Sequence, residues 1–314
     1  MPCTVRTLAH SPNPGFRADL LRAGILHRTS VEGLYIRSER FERVAQAVDH
    51  LVSSAGADEN AEALYFPPVI PREVLERSGY VRSLPDLVGI VSTFEGDDAA
   101  HAEILYRLDR GSDWGDIFEP SQVALCPAAC HLVYPRHTGS LPPGGLRFEV
   151  FGHCFRHELS PDPARMQAFR QHEFVYIGDP DMALKHRDMW LERAAHILAG
   201  LGLAIEAVLT TDAFFGRLGR LLSERQRAEA LKHEIVAQAD PGTGAIAVAS
   251  SNYHLDHFGR AFEIVTAQGA VAHSACVGFA TERITLALMA AHGVDSDAWR
   301  PEVRELLWPS ASGA

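Results

Sequence analysis

The 314-residue sequence contains no long apolar run. Its most apolar-leaning stretch, Ala194–Leu209, is interrupted by His196, Gly200, Gly202 and Glu206. It reads as a helix end followed by a strand, which excludes a membrane span. The opening MPCTVRTLAHSPNPGFR lacks the apolar segment of a secretion signal, so a soluble, cytoplasmic protein is expected. Cysteine is scarce: Cys3, Cys126, Cys130, Cys154 and Cys276. An odd, scattered set excludes a disulfide framework and suits a reducing compartment. Basic charge is in deficit, with 29 Lys and Arg against 40 Asp and Glu, a formal charge of −11. That balance excludes broad nucleic-acid binding, which needs basic surface to displace counterions. There is no internal repeat and no low-complexity tail beyond the final PSASGA. The motifs GxxxxGK[ST] and GxGxxG are both missing. A bound nucleotide would therefore be gripped by basic side chains, not by a Gly-rich backbone cradle.

What is present suffices for a large core, since 46% of the residues are hydrophobic. Phe41, Val44, Ala47, Val48 and Leu51 share one helical face, and Gly56 follows as a stop. Val88–Phe94 and Ala102–Leu108 read as strands, as do SQVALCP, LRFEVFGHCFRHE, EFVYIG and AIEAVL. Asp181–Leu201 has a helical pattern. SERQRAEALKHEIVAQ carries mixed signals, and Lys232 is placed in its helical part. GAIAVASSNYHLDHFGRAFEIV reads as strand, loop, strand; a turn and a long helix ending at Gly293 follow. Strands in mixed order with helices between them imply an α+β fold with a mainly antiparallel sheet.

The chemistry concentrates between Cys154 and Gly178. Arg156 and Glu158 end one strand, Arg165 and Arg170 lie in or after the loop, and Glu173 and Phe174 sit on the return. Each Arg alone is an ordinary surface ion pair, worth about 0–1 kcal/mol. Several guanidiniums near an aromatic ring suit a nucleoside triphosphate, because Arg binds phosphate through a planar fork of donors.

Three segments together resemble the catalytic domain of class II aminoacyl-tRNA synthetases. FRHELSPDPARMQAFRQHEF resembles their motif 2, VGFATERITLAL resembles motif 3, and AVASSNYHLDHFGRAFEI resembles the strand pair before motif 3 in seryl enzymes. FPPVIPREVLERSGY stands where motif 1, the dimer-forming helix and strand, should fall. With PAACHLVYP, the combination resembles the amino acid:[carrier protein] ligases. These are stand-alone relatives of the zinc-dependent archaeal seryl-tRNA synthetases. The resemblance covers roughly residues 60–308. It implies a helical extension over 1–60 and a class II synthetase-like catalytic domain over 61–314.

By this resemblance, Arg156 contacts the ATP α-phosphate, Arg165 reaches the outer phosphates and Arg283 clamps the γ-phosphate. Arg156 and Arg283 are the catalytic cations. Phe174 would stack on adenine, and Glu158 would accept from its amino group. Lys232 is a possible phosphate contact. Ser250 and Asn252 would meet the amino acid or its adenylate, and His131 would line the amino-acid pocket. Cys130, Glu173 and Cys276 would hold Zn²⁺, with an open position for the substrate α-amino group. Mg²⁺ should accompany ATP, and its ligands are not assigned. Cys126 and Cys154 are expected in the core, and His254 and His257 as polar loop residues.

The implied reaction forms an aminoacyl-adenylate from glycine or alanine. The aminoacyl group then passes to the phosphopantetheine thiol of a carrier protein. A homodimer is expected. No heptad arm or tRNA-binding module precedes motif 1, which points away from tRNA. The basic run Arg217–Arg227 is a candidate carrier-docking surface, or simply an exposed charged helix. The rivals are a truncated seryl-type synthetase that charges tRNA, and a non-catalytic paralogue that binds an amino acid or adenylate and regulates a partner.

Overall fold

A computed structural model describes residues 4–5, 14–238 and 245–309. Cys3 and the end of the PSASGA tail lie outside the described residues. Eight strands form the central sheet: β1 (Thr4–Val5), β2 (Glu62–Phe66), β3 (Leu146–Phe155), β4 (Ala168–Gly178), β5 (Ile205–Leu209), β6 (Lys232–Gln238), β7 (Ala245–Leu255) and β8 (His273–Ala280). Their spatial order is β1-β5-β6-β7-β8-β4-β3-β2. Only the outermost pairs, β1 with β5 and β2 with β3, are parallel. The expected α+β class with a mainly antiparallel sheet is what forms.

Period-2 alternation gives this sheet two different faces. One packs under the helices α1 (Glu39–Ala55), α3 (Pro180–Gly200) and α5 (Thr281–His292). Phe174, Val277 and Phe279 reach into that layer beside Phe41, Val48, Trp190 and Leu286. Helix α1 forms because its apolar positions recur at helical spacing; Ser38 caps its first turn by accepting from the Phe41 amide. Since α1 shares its core with α3 and α5, the boundary expected near residue 60 does not fall at a break in the packing. The other face carries the functional side chains.

Two local readings are corrected. Ala102–Leu108 lies within a helix, α2 (Asp98–Asp109), not a strand. Asp97 caps it through the amides of Ala99 and Ala100, and Glu103 pairs with Arg107 one turn on. These helix-specific contacts outweigh the short apolar run. Lys232 opens strand β6 and does not lie in the preceding helix, α4 (Gly216–Ala228). The segment FPPVIPREVLERSGY contains a three-residue strand and a six-residue helix; the long helix α1 precedes it and strand β2 ends on its first residue, Phe66.

A buried His172 sits on the helix-covered face, 2.9 Å from Glu149 and 3.6 Å from Asp49. Burial alone would lower its pKa, but the two carboxylates win and raise it. The protonated form is therefore the one that folding favours. Its contribution is fully present below the usual histidine value near 6.5 and is lost as pH rises through the raised folded-state value. Thermal melts between pH 6 and 9 should show stability falling with pH. His172→Gln should flatten that profile and cost roughly 1–3 kcal/mol at pH 6. Parallel profiles for the two proteins would sink this assignment.

Candidate active site

The open face of the sheet gathers residues from five strands through register alone. Glu173 on β4 lies opposite Gly278 on β8, which lies opposite Ser250 on β7, which lies opposite Glu234 on β6. One pair along, Cys276 lies opposite Asn252, and Asn252 opposite Lys232. On the other side Phe169 lies opposite Cys154 of β3. Directly paired residues point to the same face, so these side chains share one floor.

Cys130 reaches that floor from a tight turn, Ala129–Leu132. The turn lies flat on the sheet because Gly152 has no Cβ; one there would come 2.8 Å from the Ala129 Cβ. Gln171 accepts from the Ala129 amide at 3.2 Å and anchors the turn. The ligand atoms of Cys130, Glu173 and Cys276 thereby lie within 4.8 Å of one another, all buried. The structure thus brings together the three residues expected to hold a metal.

The electrostatics of this cluster favour a cation. Burial, together with the adjacent Cys276, pushes the Glu173 carboxyl well above its usual range. Its Oε2 is buried with no hydrogen-bond partner. Cys276 is held well below the normal thiol value, first by the Cys130 thiol and further by His254 and Asn252. His254 Nε2 lies 3.5 Å and Asn252 Nδ2 3.7 Å from its sulfur. Three acidic groups, one with an orphaned oxygen, are costly to bury without positive charge. Two thiols and a carboxylate form a donor set that suits zinc.

The second half of the site is cationic. Arg156 donates to the Pro127 carbonyl at 3.0 Å, and its guanidinium lies 5.3 Å from the Phe169 ring centre. Arg283, at the head of α5, donates to the Ala164 carbonyl at 2.8 Å. Its pKa is lowered by burial and by the nearby charges of Arg156 and Arg165, with Glu158 and Glu234 opposing. Cations held near one another in this way make a site for an anion. Arg165 pairs with Glu158 at 3.0 Å. Lys232 Nζ is flanked by Asp212 and by Glu234, the latter at 3.3 Å. Asn252 Nδ2 donates to Ser250 Oγ at 3.3 Å. His131 is buried against Tyr80 and Phe258, and burial lowers its pKa to about 3, so the ring is neutral.

Phe174 is a correction. Its ring is 1% exposed, stacks on Trp190 at 4.1 Å between centres and lies under Gly56. Neighbouring strand residues face opposite ways, so Phe174 cannot share the floor with Glu173. Phe169 has the correct parity. It lines a small pocket with Met166, Ala280 and Arg283.

Sequence reasoning also missed His254, read as a loop residue. It lies on β7 and touches Cys276, and also accepts from or donates to Ser274 at 3.0 Å. Its spacing from Ser250 and Asn252 in SSNYH was the available signal. His257 instead contacts the Ser78 carbonyl at 2.8 Å. Cys126 and Cys154 are buried as expected, and Cys154 bonds to Gln171.

No protein-family model matches this chain. It is 38% identical over 291 residues to amino acid–[acyl-carrier-protein] ligase 1 of Bradyrhizobium diazoefficiens, covering 92% of this chain and 89% of that protein. The chain belongs to the amino acid–[acyl-carrier-protein] ligase family. Ligase 2 of the same organism is 37% identical over 299 residues, covering 95% of this ligase and 89% of the relative. A type-2 serine–tRNA ligase of Methanopyrus kandleri is 25% identical over 270 residues, which are 78% of this ligase and 50% of that enzyme. Among solved structures, M. kandleri SerRS in complex with A. aeolicus tRNASec superposes with a TM-score of 0.81 at 21% identity. It covers 97% of this ligase, while the ligase covers 63% of it. Seryl-tRNA synthetase from Pyrococcus horikoshii, complexed with ATP, gives 0.66 at 16% identity, covering 91% of this ligase and 60% of that chain. The fold of the ligase is that of a class II synthetase catalytic domain.

Proposed function

We propose that this ligase activates glycine or alanine with ATP and loads the aminoacyl group onto the phosphopantetheine thiol of a carrier protein. The observation that carries the reading is the Cys130–Glu173–Cys276 cluster on the open face of the sheet, with Arg156 acting on Glu173 and on Arg283 at the head of α5. In the first step the amino-acid carboxylate attacks the ATP α-phosphorus and pyrophosphate leaves. Arg156 and Arg283 would meet the charge gathered on the phosphoryl oxygens. Phe169 takes the adenine-stacking role expected of Phe174; Glu158 and Arg165, paired with each other, act on Arg283, which lines the same pocket as Phe169. Ser250 and Asn252 would bind the amino acid or adenylate. Lys232, engaged by two carboxylates, is a weaker phosphate candidate. In the second step the thiol attacks the adenylate carbonyl and AMP leaves, so no protein nucleophile is needed.

Zn²⁺ would be held by Cys130, Glu173 and Cys276, and when bound would supply an open coordination position for the α-amino group. His254 and Asn252 would steady the Cys276 sulfur from outside that set. Mg²⁺ would accompany ATP. The rings of His131, Tyr134 and Phe258 crowd the metal-ligand side, with Tyr134 stacked on Phe258 at 3.9 Å, which suits a small side chain. Helix α4 exposes Arg217, Arg220, Arg225 and Arg227 with Phe215 just before it, a basic and apolar surface suited to an acidic carrier. A cytoplasmic homodimer with no tRNA acceptor completes the proposal; the net charge of −11 supports the last point.

ATP–pyrophosphate exchange across an amino-acid panel tests the reading, followed by transfer assays with holo-carrier protein and with tRNA. Exchange should be fastest with glycine or alanine, and label should move to the carrier. Stable labelling of tRNA but not of the carrier would favour the seryl-type alternative.

A further inference from the structure

Tyr80 begins a single helical turn, Tyr80–Ser83, and its ring packs against His131 of the turn that carries Cys130. Its ring belongs to a small apolar cluster with Ile70, Leu75, Ala124 and Cys126. A phenylalanine would satisfy that packing equally well. The hydroxyl nevertheless is buried and has no hydrogen-bond partner. Buried polar atoms are nearly always paired, so an orphaned hydroxyl asks for an external partner. The turn is fixed on both sides: the Ser78 carbonyl meets His257 Nε2 at 2.8 Å, and the Ser83 carbonyl accepts the Phe215 amide at 2.7 Å. The ring edge meets His131, 5.6 Å between centres, and His131 follows Cys130 directly. His131 Nδ1 is likewise buried without a partner.

We propose that the Tyr80 hydroxyl is a catalytic hydrogen-bond donor to the junction where the amino-acid carboxylate joins the α-phosphate. This rests on the adenylate-forming reading above. Arg156, assigned to that phosphate, is among the charged groups that act on the phenol, as are Asp212, Cys154 and Glu158. Burial pushes the phenol up to about 12, so it keeps its proton and can only donate to an anionic oxygen. A neutral donor adds a directed hydrogen bond without another cation beside Arg156, and a donor aimed at developing charge acts mainly in the transition state.

Tyr80→Phe removes the hydroxyl and keeps the ring. Its exchange kcat should fall about 10- to 100-fold while KM for ATP stays within roughly threefold. Its melting temperature should be unchanged or higher, since no internal hydrogen bond is lost. Unchanged kcat overturns the assignment, and so does a large fall in melting temperature, which would mark the hydroxyl as structural. A wild-type protein without exchange overturns the functional reading itself. The affinities of both proteins for 5′-O-(N-glycylsulfamoyl)adenosine then decide the hydroxyl separately, equal affinities counting against it.

Discussion

Cys276→Ala should yield a protein that has lost both its bound zinc and amino-acid activation. The argument begins with charge. Cys276 is the thiol of the buried cluster whose pKa is held well below the normal value, first by the Cys130 thiol and further by His254 and Asn252. Its sulfur is the donor that costs a cation most to lose. Alanine leaves one thiol and one carboxyl group, both of which burial drives towards their neutral forms. Neither holds zinc tightly when protonated. Metal content should fall from about one ion per chain to a small fraction, and exchange with glycine by about 100-fold or more. ATP binding should survive, because Arg156 and Arg283 stand on other elements. Cys154→Ala is the control. Cys154 is buried too, but it bonds to Gln171 and lies outside the cluster, so that variant should keep its metal. Full activity in a metal-free Cys276→Ala protein would refute the ligand role.

Much of this site was legible because its chemistry is local to two strands and one helix head. The run Cys154–Gly178 forms a hairpin with the expected arginines, and VGFATERITLAL forms a strand leading into a helix. The trio proposed as metal ligands was accessible only through resemblance. Cys130, Glu173 and Cys276 lie far apart in the chain, and sheet register alone unites the last two. Phe174 failed for a simpler reason. Its assignment placed adjacent residues 173 and 174 on the same face, which strand alternation forbids. Applying that rule to AFRQHEF selects Phe169, Gln171 and Glu173 together. The helix α2 was misread because Ala102–Leu108, taken without Asp97, looks like a strand segment. Tyr80 left no trace in any pattern, since its significance is a missing partner visible only in three dimensions.

Arg156→Ala should nearly abolish adenylate formation, and Arg156→Lys should rescue little of it. Lysine keeps the charge but loses the planar fork that can hold two phosphoryl oxygens together. It also loses the Nε donor to the Pro127 carbonyl and the plane that lies over Phe169. Those contacts fix the direction of the guanidinium, so a lysine would bring charge without aim. Burial opposes the charge of Arg156, yet nearby acidic groups, the carboxylates of Asp212 and Glu158 among them, hold its pKa above the usual arginine value. The cation is thus fixed in place before ATP arrives, the condition under which such a group acts most strongly on a transition state. Exchange kcat should fall about 100- to 1000-fold in either variant. Arg165→Ala should lose less than about tenfold, because Arg165 is 42% exposed and its loop-borne guanidinium is tied to Glu158. Measured side by side, the three variants separate aim from charge. A lysine that restores activity to within about threefold of wild type would reduce Arg156 to a general electrostatic contributor. The α-phosphate contact would then have to pass to Arg283, whose guanidinium is turned towards the Ala164 and Ala247 carbonyls.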